Sequence, residues 1–342
     1  SISESEMARL FLALVLLSVV IAACEAPPPD VCQALTTDPL ELPLSFKTYE
    51  AEGCTVEEWR EDLTEHVEGA VGLSAPIEGT VPKLFPRHVE RDEYTVVSAY
   101  DGVEVPYYIV DPDPDASPLG HVVIILHGHE EDWDSAFDED SQLHDLGSLL
   151  IDEGYTVVVP EIRSFGDFEI GGLDHEEYAA MLPPGLFMGQ IIADTTSVVD
   201  AVLERFEGPG LRVSVVGHSL GGYLALHVGA LTRRFDKVMS NGSFMPYGCV
   251  NTSIHCHCEH LPDMYGMAEL HDVAGMMAPE TTVDILFGAR DQSLKLAAIQ
   301  MYDELVYIFD KTGAPTRPGF HVSLKNAHEV DPEKVLDILE GG

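Results

Sequence analysis

Leu211-Arg212-Val213-Ser214-Val215-Val216-Gly217-His218-Ser219-Leu220-Gly221-Gly222, followed by the apolar run Tyr223 to Leu231, is the stretch whose reading decides the fold. Leu211 to Val216 reads as a buried strand and Tyr223 to Leu231 as a helix. The residues between them must reverse the chain sharply, and the glycines supply backbone without a Cβ where such a turn crowds its neighbours. A serine at the tip of a strand-to-helix turn holds its hydroxyl out at the edge of a sheet. That hydroxyl is a weak nucleophile at neutral pH and needs a general base and oxyanion donors beside it. Ser219 is the candidate nucleophile, and the rest of the chain must supply its partners.

Outward from this unit, strands and helices alternate. Tyr94 to Ala99 and Val103 to Val110 are β-rich runs around Asp101-Gly102, which predicts a hairpin. Val122 to Leu126, Tyr155 to Pro160, Lys237 to Ser240, Val283 to Phe287 and His321 to Leu324 read as further strands. Leu146 to Glu153, Gln190 to Phe206, Leu294 to Phe309 and Pro332 to Leu339 read as helices. Apolar strands separated by helices predict an α/β domain over residues 91–342. Its core is a mostly parallel twisted sheet of about eight strands with helices on both faces. Residues 244–278 break the rhythm with Pro, Gly, Met and three cysteines, and are expected to form a small cap or loop over the C-terminal edge of the sheet.

In such a sheet the C-terminal strand ends converge, so the acid and base are sought after later strands. Asp291 closes Val283-Asp284-Ile285-Leu286-Phe287-Gly288-Ala289-Arg290-Asp291, and His328 follows the last strand and precedes the last helix. Asp284 lies inside a strand and His321 at the start of one, which makes both weaker candidates; His218, within the elbow, reads as a packing residue. Oxyanion donors are expected from the amide of Leu220 and from the loop His127-Gly128-His129-Glu130, with His129 favoured over Gly128 and His127 reserved for a structural hydrogen bond.

With these residues in place, the chain from about residue 94 to 340 resembles the α/β-hydrolase superfamily, in its dienelactone-hydrolase-like and acetyl-xylan-esterase-like branch. The resemblance rests on the elbow and on the order nucleophile, acid, histidine. It implies an α/β-hydrolase fold, no cofactor, and acyl transfer to water through an acyl-enzyme. Dienelactone hydrolases proper use cysteine, so Ser219 points toward carboxylic esters, with short-chain or acetyl esters expected. Ala327 stands where the family often has glycine before the histidine, a local departure. Two alternatives are a prolyl-oligopeptidase-like peptidase and a surface binding protein without catalysis. Residues 30–90 are too few for a gating propeller, and the presence of all three triad candidates weighs against the second.

Composition narrows the partners. The 59 Asp and Glu against 18 Lys and Arg give a formal net charge of −41, and no basic stretch offers a footprint for nucleic acid. With 45% hydrophobic residues the chain can still bury a core. Residues 1–24 read as an export signal: Arg9, an apolar run Leu10 to Ala23, and the lipobox-like Ile21-Ala22-Ala23-Cys24. The run is about 14 residues, short of the roughly 20 that span a bilayer. Cys24 is the expected lipid anchor to a bacterial outer membrane, facing periplasm or exterior; a soluble secreted protein is the alternative. Residues 25–90 form a tether through Pro27-Pro28-Pro29 and an N-terminal segment.

An exported chain can keep disulfides, and Cys32 with Cys54, and Cys249 with Cys256 or Cys258, are the expected pairs. The run His255-Cys256-His257-Cys258-Glu259-His260 has zinc-ligating side chains but lacks paired C-x-x-C spacing, so no metal is expected.

Overall fold

The computed structural model describes residues 38–73, 92–112, 119–129, 131–206, 208–251, 256–291 and 296–341. The expected signal, Cys24 and the proline tether lie outside the described residues.

The eight strands among the described residues are β1 (Asp92–Val97), β2 (Glu104–Val110), β3 (His121–Leu126), β4 (Thr156–Pro160), β5 (Arg212–His218), β6 (Lys237–Asn241), β7 (Thr282–Gly288) and β8 (Gly319–Ser323). They form one sheet in the order β1-β2-β4-β3-β5-β6-β7-β8. The expected hairpin is present, with Val97 opposite Glu104, and β2 also runs antiparallel to β4. All other pairings are parallel. The described helices are α1 (Phe46–Glu52), α2 (Val56–Ala70), α3 (Leu146–Asp152), α4 (His175–Met181), α5 (Leu186–Arg205), α6 (Leu220–Thr232), α7 (Tyr247–Val250), α8 (Leu270–Gly275), α9 (Leu296–Thr312) and α10 (Pro332–Glu340).

Alternation along a central strand shows why helices cover both faces. Side chains of successive strand residues point to opposite sides. In β3, Val122, Ile124 and Leu126 enter one apolar cluster, while Val123 and Ile125 enter another. Helices α2, α5, α6, α8 and α9 feed the first cluster, and α3 and α10 the second. Helix α5 is long and apolar enough to cross a membrane, yet most of it is buried inside the domain. Its Asp194 takes two hydrogen bonds from the buried Arg163, at 2.8 and 2.7 Å, and Arg163 also pairs with Asp101 at the tip of the hairpin. A buried charge of this kind is tolerated because each polar atom has an opposite partner.

Two regions differ from the sequence reading. Residues 46–70, expected only as an N-terminal segment, form α1 and α2, and α2 begins with a capping box between Thr55 and Glu58. Trp59, Leu63 and Val67 form a helical stripe that is wholly buried, and such residues stabilise by about 1.5–3 kcal/mol each. The segment 244–278 is only partly a cap. Helix α8 packs against α6 and α9, and Leu270, Val273 and Ala274 are fully buried, so this end of the segment is a layer of the core.

The cysteine pairing also differs. Cys249 is disulfide-bonded, whereas Cys54, Cys256 and Cys258 are free, so neither expected pair forms. Cys256 and Cys258 are turned instead toward two histidines from distant segments.

Candidate active site

Ser219 sits between β5 and α6 with φ 52° and ψ −120°, a left-handed conformation that costs a non-glycine residue of order 1–3 kcal/mol. The turn leaves no room for side chains on either flank: a β-carbon at Gly217 would strike the Gly221 backbone, and one at Gly221 would strike the carbonyl of Leu126. The Ser219 amide donates to the Asn241 carbonyl at 2.9 Å, which ties the elbow to the end of β6.

Asp291 and His328 are delivered by adjacent turns beyond β7 and β8. The Ala289 amide donates to the Ser323 carbonyl at 2.8 Å, and the Arg290 amide to that of Asn326 at 3.3 Å, which zips the two turns together. His328 Nδ1 lies 3.0 Å from Asp291 Oδ2, with the carboxylate buried and the imidazole partly exposed. Burial alone pulls the His328 pKa down, but the hydrogen bond and charge of Asp291 outweigh it and hold the imidazole above its ordinary value. Gly242, one residue past β6, brings the pair to the elbow: a β-carbon there would lie 2.8 Å from His328 Cε1 and 3.2 Å from Asp291 Oδ2.

His218 is neutral and structural in its bonding. Its Nδ1 accepts from Asn241 Nδ2 at 2.9 Å, and its Nε2 donates to Gln142 Oε1 at 2.7 Å. Burial, then the nearby His328, push its pKa well below the usual imidazole value. Its ring centroid lies 4.8 Å from that of His328, so it forms a floor under the titrating imidazole.

The loop after β3 lies directly against the serine, where a β-carbon at Gly128 would meet the Ser219 Cβ at 3.1 Å. The Gly128 amide is already committed to Glu131 Oε2 at 2.8 Å, which favours the neighbouring amide of His129 as a donor. Leu220 begins α6, where the first amides of a helix have no intrahelical partner. His127 donates from Nδ1 to the Gly128 carbonyl at 3.0 Å and accepts the Ile162 amide at Nε2 at 3.2 Å. Burial lowers its pKa to about 4, consistent with this neutral, structural bonding.

Glu131 was not singled out by the sequence. Besides Gly128 it accepts the Gln142 amide at 3.0 Å, and burial raises its pKa. It holds the loop against the segment that carries Gln142, and thereby also positions His218. Only its place five residues beyond the end of a strand hinted at such a role.

A profile of the alpha/beta hydrolase family matches residues 123–326, more than half of the chain. No curated protein sequence matches it. Among solved structures, a methylesterase is 15% identical with a TM-score of 0.58, over 82% of this chain and 62% of that one. A carbohydrate esterase family 15 glucuronoyl esterase from Caldicellulosiruptor kristjansonii is 15% identical with a TM-score of 0.55, over 83% and 84% of the two chains. A cold-adapted esterase from an Arctic intertidal metagenomic library is 19% identical with a TM-score of 0.50, over 77% and 99%. At these identities the likeness is one of fold.

Proposed function

We propose that this chain, which belongs to the alpha/beta hydrolase family, is a serine esterase that cleaves carboxylic esters through an acyl-enzyme. The observation that carries the reading is the convergence of a strained serine turn with a 3.0 Å Asp–His pair from two later turns. In this reading His328 takes the Ser219 proton as the hydroxyl attacks the ester carbonyl. Asp291 keeps the imidazole in the tautomer that can accept it and stabilises the imidazolium. The amides of His129 and Leu220 hold the oxyanion, and His328 then returns the proton to the leaving alcohol and activates water for deacylation.

Short acyl groups suit the site better than lipid chains. A lipid-facing lid presents apolar side chains to the outside, whereas Met264, Met276 and Met277 of the 244–278 segment are buried in the core. Hydrolysis of a p-nitrophenyl ester series from acetate to palmitate tests this, with Ser219→Ala alongside. The expected outcome is activity that peaks at the shortest chains and vanishes in the variant; a peak at palmitate overturns the acyl preference, and an undiminished variant overturns the nucleophile.

The export reading extends the proposal to a small-molecule ester met outside the cytoplasm by an enzyme held to a membrane through Cys24. Labelled palmitate incorporated by the full-length chain, and lost in Cys24→Ser, is the expected result; no incorporation would instead fit a soluble secreted enzyme.

A further inference from the structure

His129, His175, Cys256 and Cys258 meet at one point from three parts of the chain. His129 lies in the loop after β3, His175 opens α4, and the two cysteines bracket the start of the 3-10 turn His257–Glu259. Their ligand atoms all lie within 4.8 Å of one another, and His129 Nε2 is 3.0 Å from Cys258 Sγ. The His175 ring stacks on Phe165 with centroids 4.2 Å apart and planes 13° apart, which fixes its orientation. Both cysteines are free thiols, and Cys258 is buried.

We propose that these four side chains form a structural Cys2His2 site for a soft divalent cation of the zinc class, fastening the 244–278 segment to the loop beside Ser219. Tetrahedral zinc, with Zn–S about 2.3 Å and Zn–N about 2.0 Å, holds its donors roughly 3.3–3.8 Å apart. Donors gathered within 4.8 Å therefore need to close by about 1.5 Å at most to reach that geometry. Nitrogen and sulfur donors exclude calcium and magnesium, which demand oxygen. Two thiolates balance a divalent charge, so the occupied site is neutral where it is buried. Four protein donors fill a tetrahedral shell, which makes the site structural and leaves no position for a metal-bound water.

The chemistry of the pair agrees with the geometry. The Cys258 amide donates to Cys256 Sγ at 3.4 Å, a bond that suits a thiolate. The thiolate is the form that binds metal. Binding would release thiol protons to solvent. The six-residue run around these cysteines cannot supply such a shell alone; the fold adds His129 and His175 from other segments.

The site stands on its own donors, while its bearing on catalysis rests on the proposed role of the His129 amide. Its test therefore reads metal and spectrum, not turnover. The full chain, reduced and stripped by chelator, is reloaded with Zn2+ or Co2+ alone and desalted. One zinc per chain is expected, with a thiolate-to-cobalt charge-transfer band and tetrahedral visible bands in the Co2+ form, and a higher melting temperature on loading. His175→Ala is expected to weaken zinc binding by about tenfold or more. Three results would overturn the site: reduced, folded wild type that takes up no zinc, Cys256 and Cys258 recovered as a mutual disulfide, or a folded Cys256→Ser/Cys258→Ser variant that retains zinc as tightly as wild type.

Discussion

Asp284 with His321 and Asp291 with His328 are two Asp–His pairs drawn from the same two segments at the same separation of 37 residues. The first pair is the tighter, at 2.8 Å against 3.0 Å. It bridges β7 to β8 inside the sheet, where it joins an edge strand to its neighbour. The second lies beyond the C-terminal ends of the same strands, packed on Gly242 and facing the elbow. Distance between carboxylate and imidazole therefore does not distinguish a charge pair that staples a sheet from one proposed to serve a nucleophile. Position along the strand does, because parallel strands bring their C-terminal ends to one edge.

The contrast can be broken most severely at the serine. Ser219→Ala or His328→Ala is expected to lower kcat by about 10^6-fold, and the double variant by little more, because the residues act as one unit. Measured ester hydrolysis by the three purified variants checks this, and additive losses would show that the two side chains work independently. Asp291→Asn is expected to cost about 10^4-fold in kcat with little change in KM, since it favours the wrong imidazole tautomer without touching substrate.

A smaller and more diagnostic effect is the pH dependence. The base must be neutral, so kcat/KM is expected to rise with pH through a midpoint above the ordinary imidazole value. Asp291→Asn should move that midpoint downward. Stability runs the other way: the folded chain favours the protonated imidazole, so the contribution of the pair is complete below the unfolded pKa and is lost as pH rises through the raised folded value. Denaturant titrations of wild type and Asp291→Asn across neutral pH would reveal it.

The smallest effect belongs to the other pair. His321→Ala or Asp284→Asn is expected to leave kcat and KM within a few-fold of wild type and to change stability by about 1 kcal/mol or less. A loss of kcat comparable to that of Asp291→Asn would erase the distinction between the two pairs.

Much of this arrangement was legible in the sequence because it is local or ordered along the chain. The elbow is a run of adjacent residues, and Asp291 and His328 could be placed by counting strands, since each follows one and precedes a helix. The features that were missed follow other rules. Helix α2 carries Glu57, Glu58, Glu61, Asp62, Glu65 and Glu68 on its outer side, which masked a stripe of Trp59, Leu63 and Val67 that its capping box could have revealed. The gathering of His129, His175, Cys256 and Cys258 depends on three segments that only the folded sheet brings together. The half of the 244–278 segment that became core was hidden for a similar reason, since α8 finds its partners in α6 and α9.

The most direct test of the central claim is covalent trapping of the nucleophile. Wild type, Ser219→Ala, His328→Ala and His321→Ala would each be treated with an alkyl phosphonate ester, then analysed by intact mass and peptide mapping. One adduct per wild-type chain is expected, on Ser219, formed as fast in His321→Ala, far more slowly in His328→Ala, and absent from Ser219→Ala. An adduct on another residue, or a rate in His328→Ala equal to that of wild type, would contradict it.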